Sequence, residues 1–103
     1  MLERNGARFL LVAWPSARQI SGELPLGYQA RLERYTSELG IDYLDLAPAV
    51  RTVEAGGARA FLLPHDGHPS VAGHEAAAHA IAIHLEDKQA AREAPAPAAQ
   101  VTP

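Results

Sequence analysis

Apolar residues fall in short blocks whose period changes along the chain, and those changes predict the elements. Residues 8–14, Arg-Phe-Leu-Leu-Val-Ala-Trp, form a nearly continuous apolar run closed by Pro15. That is the pattern of a strand covered on both faces in a parallel sheet. A polar loop follows over residues 16–27, broken by Gly22, Pro25 and Gly27. Tyr28, Leu32, Tyr35 and Leu39 then recur at helical spacing, with Arg31, Glu33, Arg34 and Glu38 on the other faces. This predicts a helix whose aromatic stripe faces the core. Gly40 stands where a left-handed helix cap is expected. Residues 41–46, Ile-Asp-Tyr-Leu-Asp-Leu, read as a second strand. Strand, helix and strand at this spacing make a βαβ unit with a right-handed crossover.

Residues 47–55 predict a short helix with Pro48 in its first turn, stopped by Gly56-Gly57. Asp45, just upstream, is placed to help start that helix. Ala60-Phe61-Leu62-Leu63 is a third apolar piece, too short to specify a strand. Ser70 is positioned to cap a last helix in which Val71, His74, Ala78, Ile81 and Leu85 keep helical spacing. From Glu86 onward Ala, Pro and charged residues dominate, with Pro95 and Pro97 blocking continuation. The expected division is residues 1–86 as the folded portion and 87–103 as a disordered Ala/Pro-rich tail. The fold class is α/β: a partial three-layer, doubly wound (flavodoxin-like) parallel sheet, built from the βαβ unit plus a C-terminal helix. Two parallel strands leave at least one sheet edge bare. Self-association of copies would complete such a sheet. The favoured expectation is instead that this chain is the C-terminal portion of a larger domain.

Composition narrows the function classes. The chain has 103 residues, enough for one domain, with 48% hydrophobic and 20% charged residues. Nine Lys and Arg against twelve Asp and Glu give a formal charge of -3, the wrong balance for nucleic-acid binding. Cysteine is absent, which removes disulfides, thiolate metal sites and cysteine nucleophiles. No apolar run approaches the roughly 20 residues of a membrane span. The first eight residues are polar and charged rather than a basic-then-apolar leader, so no signal peptide is expected, and the compartment is left open.

All five histidines lie between residues 65 and 84. Asp66 and His68 flank Gly67, and in an extended stretch their side chains leave the same face about 6–7 Å apart. A carboxylate there is within reach of the imidazole. Pro69 keeps His68 out of the helical region, on the loop before the last helix. An imidazole whose tautomer an aspartate fixes is the base–orienter pair of a hydrolytic triad. Three residues specify little by themselves, and a turn-capping Asp66 beside a solvated His68 is the plain alternative.

The longer run Asp-Gly-His-Pro-Ser-Val-Ala-Gly-His, residues 66–74, followed by an Ala-rich helix, resembles the last sequence block of SGNH/GDSL hydrolases. Upstream, the apolar strand ending in Pro15-Ser16, the following helix and the Gly-Ile-x-x-x-Asp-Leu-x-Pro segment of residues 40–48 are similar in the same order. The resemblance implies an α/β hydrolase acting on ester bonds, with Asp66 as triad aspartate, His68 as triad histidine, and no cofactor or metal. Its expected substrates are small-molecule or carbohydrate esters. Many family members space the pair Asp-x-x-His. The Asp-x-His spacing found here is that of an Asp-Gly-His branch that includes proteins related to sugar O-acetylation enzymes.

The family's nucleophile block has no counterpart, since no Gly-Asp-Ser motif occurs and Asn5 is the only asparagine. The chain alone is therefore expected to be inactive, because a His–Asp pair without nucleophile and oxyanion donors accelerates little. Ser16 follows a strand end but lacks the glycines of a nucleophile elbow, and a capping role suits it better. An inactive truncated remnant and a sugar O-acetyltransferase-related domain are the alternatives, with a His-rich metal-binding module behind them. His74 and His79 lie five residues apart, roughly 140° around a helix, so they do not form a zinc-protease pair. On this Ala-rich helix His79 and His84 are expected as partly exposed surface histidines, and His74 beneath the loop.

Overall fold

The computed structural model describes residues 7–62 and 68–93. In chain order the elements are β1 (Leu10–Ala13), α1 (Ala17–Ile20), α2 (Gly27–Leu39), β2 (Asp42–Asp45), α3 (Ala47–Ala55) and α4 (Val71–Glu93). β1 and β2 pair in parallel, with Leu10 opposite Asp42 and Ala13 opposite Asp45. Side chains alternate across a strand, so the two faces can be told apart by their partners. The Tyr43 hydroxyl donates to the Gln29 carbonyl of α2, whereas Asp42, one residue earlier, meets His84 of α4. α2 and α4 therefore cover opposite faces, and the molecule is a partial three-layer, doubly wound α/β fold.

Each turn has a local cause. Gly40 adopts φ 70° and closes α2. Its amide and that of Ile41 reach back to the Ser37 and Thr36 carbonyls, a Schellman closure that a β-carbon would strain. Asp45 Oδ1 accepts the Ala47 amide at 2.9 Å and starts α3, with Pro48 in the first turn. The loop expected at residues 16–27 contains one turn of helix, α1, which periodicity could not reveal in four residues. Ser16 caps it in a reciprocal box with Gln19. Gln19 is buried with Gln29, and their amides exchange hydrogen bonds of 2.9 and 3.1 Å. Further bonds from the Ser16 amide and to the Pro25 carbonyl complete the Gln19 set, so two buried polar side chains tie α1 to α2 without an orphaned group.

Two expectations about packing are corrected. Tyr28, Tyr35 and Leu39 are exposed, Leu39 to 72%, while Gln29 and Thr36 are the buried residues of α2. Among the described residues the sheet beneath is two strands wide, so α2 has a narrow contact, on which Gln29 and Thr36 are buried. Thr36 satisfies its hydroxyl on the Leu32 carbonyl, and Arg34 lies over the Tyr35 ring. His84 is partly exposed, as expected, but bonded, with Nε2 at 2.9 Å from Asp42 Oδ1 and Lys88 alongside at 3.5 Å. Asp42 lies on the face that α4 covers, which draws the ring inward. α4 also continues through residues 87–93, a stretch assigned to the tail and composed largely of good helix formers. Residues 94–103 lie outside the described residues.

The core lies under the segment that precedes α4. Val50, Ala60 and Phe61 are buried together, with Trp14, Ala17, Ile20 and Val53 packed against them. Phe61 does not join the parallel sheet. It forms an isolated antiparallel bridge with Pro69, so the third apolar piece is one arm of a return loop. The first turn of α4 rests on the other end of that arm. A β-carbon at Gly73 would fall 2.2 Å from the Ala60 carbonyl oxygen and 3.3 Å from Pro69 Cβ. That carbonyl cannot step aside freely, since it accepts the Ser70 amide at 2.8 Å.

Replacing Gly73 by Ala therefore sets a helix-propensity gain of about 1 kcal/mol against an overpacking cost of about 1–3 kcal/mol or more at a backbone contact. Gly73→Ala is expected to lower the midpoint of denaturant unfolding. A midpoint at or above that of the wild type would show that α4 does not sit on Ala60.

Candidate functional site

Parallel α/β sheets bind ligands beyond the C-terminal ends of their strands, and the His68 loop emerges there. Trp14 directly follows β1, and with Ala17 and Ile20 it packs on the Ala60–Phe61 arm. His74, in the first turn of α4, places its ring edge-on to Trp14, with centroids 6.1 Å apart and planes at 73°. This is an ordinary edge-to-face geometry. His74 is exposed rather than tucked beneath the loop, which corrects that expectation.

The loop base is a short ladder. The Glu54 carboxylate accepts the Ala60 amide at 3.1 Å, and the Ala60 carbonyl accepts the Ser70 amide. The Leu62 amide donates to the His68 carbonyl at 3.0 Å, closing the loop between them. Ser70 caps α4 as expected: its hydroxyl oxygen accepts the Gly73 amide at 3.1 Å, and its carbonyl accepts the His74 amide at 2.9 Å. The same hydroxyl donates to the Arg59 carbonyl. His68 itself is exposed, so its backbone is held while its ring is accessible from solution.

Of the two residues expected to carry chemistry, His68 stands on this ladder, and Asp66 lies outside the described residues, as do His65 and Asn5. Ser16 is committed to its cap, with Oγ accepting the Gln19 amide at 3.1 Å. Among the described residues no group of three or more His, Asp or Glu side chains is placed to hold a metal ion. No helix among them is long and apolar enough to cross a membrane. The second His–Asp pair, His84 with Asp42, lies ten residues or about 15 Å down α4 from His74. It borders a groove of about 520 Å³ whose walls include Leu44, Val53, Ala76 and Ile83. That pair is at the opening of β2 rather than at its C-terminal end, away from the loop.

A polar corner completes the C-terminal edge. The Tyr28 hydroxyl donates to the Trp14 carbonyl, and Asp45 ends β2. Burial, and secondarily the Asp45 charge, raise the Tyr28 and Tyr43 phenols above the ordinary value of 10.0. The helical spacing of Tyr28 points it toward the core. Its role at this edge depends on Asp45, which no local pattern links to Tyr28.

These features define a class: a partial doubly wound α/β fold with His68 beside the Ala60–Phe61 arm at the C-terminal edge of its sheet. Residues 2–103 match the family model described as the SGNH hydrolase-like domain of acetyltransferase AlgX. The chain belongs to that SGNH hydrolase-like family. Comparison with curated proteins found no match, and comparison with solved structures found none.

Because Tyr28 and Tyr43 hold their protons more firmly in the native state than unfolded, the stability they contribute is complete below pH 10.0 and is lost as pH rises beyond it. In a spectrophotometric titration, Tyr28→Phe and Tyr43→Phe should each remove absorbance change above that pH. A loss confined to lower pH would contradict the placement of these phenols beside Asp45.

Proposed function

We propose that this chain supplies the base side of a serine ester site, with His68 as general base and Asp66 holding its ring. In this reading His68 takes the proton from a serine hydroxyl as the serine oxygen bonds to the ester carbonyl carbon. The tetrahedral centre then collapses, the carbon–oxygen bond to the leaving alcohol breaks, and His68 returns the proton to that alcohol. The acyl-serine passes its acyl group to water in an esterase, or to a sugar hydroxyl in an acetyltransferase. Membership of a family whose model is named for an acetyltransferase supports acetyl as the acyl group that the site handles. The observation that carries the reading is the exposed His68 on a braced loop at the C-terminal edge of the sheet.

The serine is not assigned within residues 1–103, where no Gly-Asp-Ser motif occurs and Ser16 is used as a cap. The chain by itself is accordingly silent. Residues 1–86 form the portion of the domain in question, and the sheet edges left unpaired among the described residues suit completion by a further strand.

Imidazole nitrogen spectra test the pair directly. The wild type should show one dominant His68 tautomer, and Asp66→Asn should abolish that preference; identical spectra would remove Asp66 from the role. Offered a chromogenic acetyl ester, the chain and its His68→Ala form should both stay at background. Turnover that disappears in His68→Ala would instead place a nucleophile within these residues.

A further inference from the structure

We infer that Ser70 is a positioning residue for His68, acting through the loop base and not only as the cap of α4. This rests on the reading of His68 as the base. A hydroxyl has one hydrogen to give and two lone pairs to receive. Ser70 uses the hydrogen on the Arg59 carbonyl and a lone pair on the Gly73 amide, so one oxygen joins the outgoing arm to the helix start. Its own amide donates to the Ala60 carbonyl, giving that arm two consecutive attachments to Ser70.

Only Pro69 separates Ser70 from His68, and its ring fixes φ near −65°. Pro69 is half-buried and bridged to Phe61. On the other side, the Leu62 amide holds the His68 carbonyl at 3.0 Å. The backbone of His68 is thus caught between Ser70 and Leu62. Losing the Arg59 attachment leaves the Ser70 amide on Ala60 as the one hydrogen bond from Ser70 to the outgoing arm, which loosens the arm relative to α4; the Leu62–His68 bond follows Ala60 along that arm.

Two substitutions separate the cap from the attachment. Thr keeps both functions of the hydroxyl. Asp keeps the cap, because an ionised carboxylate accepts the Gly73 amide well, but it has no hydrogen for the Arg59 carbonyl. Ala loses both. Amide exchange of Leu62 reads the loop base, the Cα shift of His68 reads its backbone, and far-ultraviolet circular dichroism reads α4. In Ser70→Asp, helix content should match the wild type while Leu62 exchanges about five- to tenfold faster, the size of one lost hydrogen bond, and the His68 shift moves. Ser70→Thr should stay within about twofold of the wild type at Leu62 by the same measure. Wild-type exchange in Ser70→Asp, or exchange in Ser70→Thr as fast as in Ser70→Ala, would overturn the inference. None of these three readouts involves ester chemistry. Loss of Leu62 protection with a His68 tautomer indifferent to Asp66 would leave the positioning role intact and sink the base role, and the reverse pattern would do the opposite.

Discussion

Everything at the C-terminal edge of this sheet depends on one close approach, that of the first turn of α4 to the carbonyl of Ala60. A side chain as small as a methyl at Gly73 would stand 2.2 Å from that oxygen, well inside contact distance, so only glycine lets helix and arm meet. Once they meet, the Ser70 amide and hydroxyl fall onto consecutive carbonyls of the arm. The short antiparallel bridge between Phe61 and Pro69 follows, and His68 is carried to the position where parallel sheets expose their working residues. The glycine in the Pro-Ser-Val-Ala-Gly run is thus a packing requirement of the site.

α4 is fastened a second time at its far end. His84 meets Asp42 at the opening of β2, with Lys88 near the same carboxylate. Half-exposed pairs of this kind add little to stability, on the order of 0–1 kcal/mol. Their effect here is directional: they fix which face of a long helix lies against the sheet, and with it the orientation of the first turn that carries Gly73 and His74. The His84–Asp42 contact, at the opening of β2 rather than at its C-terminal end, therefore acts on the seating of the helix.

Much of the fold was legible in the residues. The apolar run ending in Pro15, the glycine after Leu39, and Ser70 before an Ala-rich stretch each announce an element through a local mechanism, and the structure contains β1, the Gly40 cap and the Ser70 cap. Properties set by distant partners were not legible. Tyr28 and Tyr35 had the spacing of core residues, but the sheet under α2 is two strands wide, and Gln29 gained a partner in Gln19 that no periodicity shows. The partial exposure of His84 on an Ala-rich helix was legible, but its bond to Asp42 was not. At the site, the spacing of Asp66 and His68 and the Pro-Ser helix start suggested where chemistry would sit. The bond from Leu62 to the His68 carbonyl, and those joining Ser70 to Arg59 and Gly73, needed the pairing of Phe61 with Pro69.

Nuclear Overhauser contacts test the seating of α4 most directly. With the Trp14 and His74 rings 6.1 Å apart edge to face and Gly73 against Ala60, cross-peaks should join the indole protons of Trp14 to the imidazole protons of His74. A second set should join the α-protons of Gly73 to Ala60. Absence of both sets in a folded chain, with α4 still helical, would mean that the helix does not rest on the arm and that His68 is not held at the C-terminal edge of the sheet.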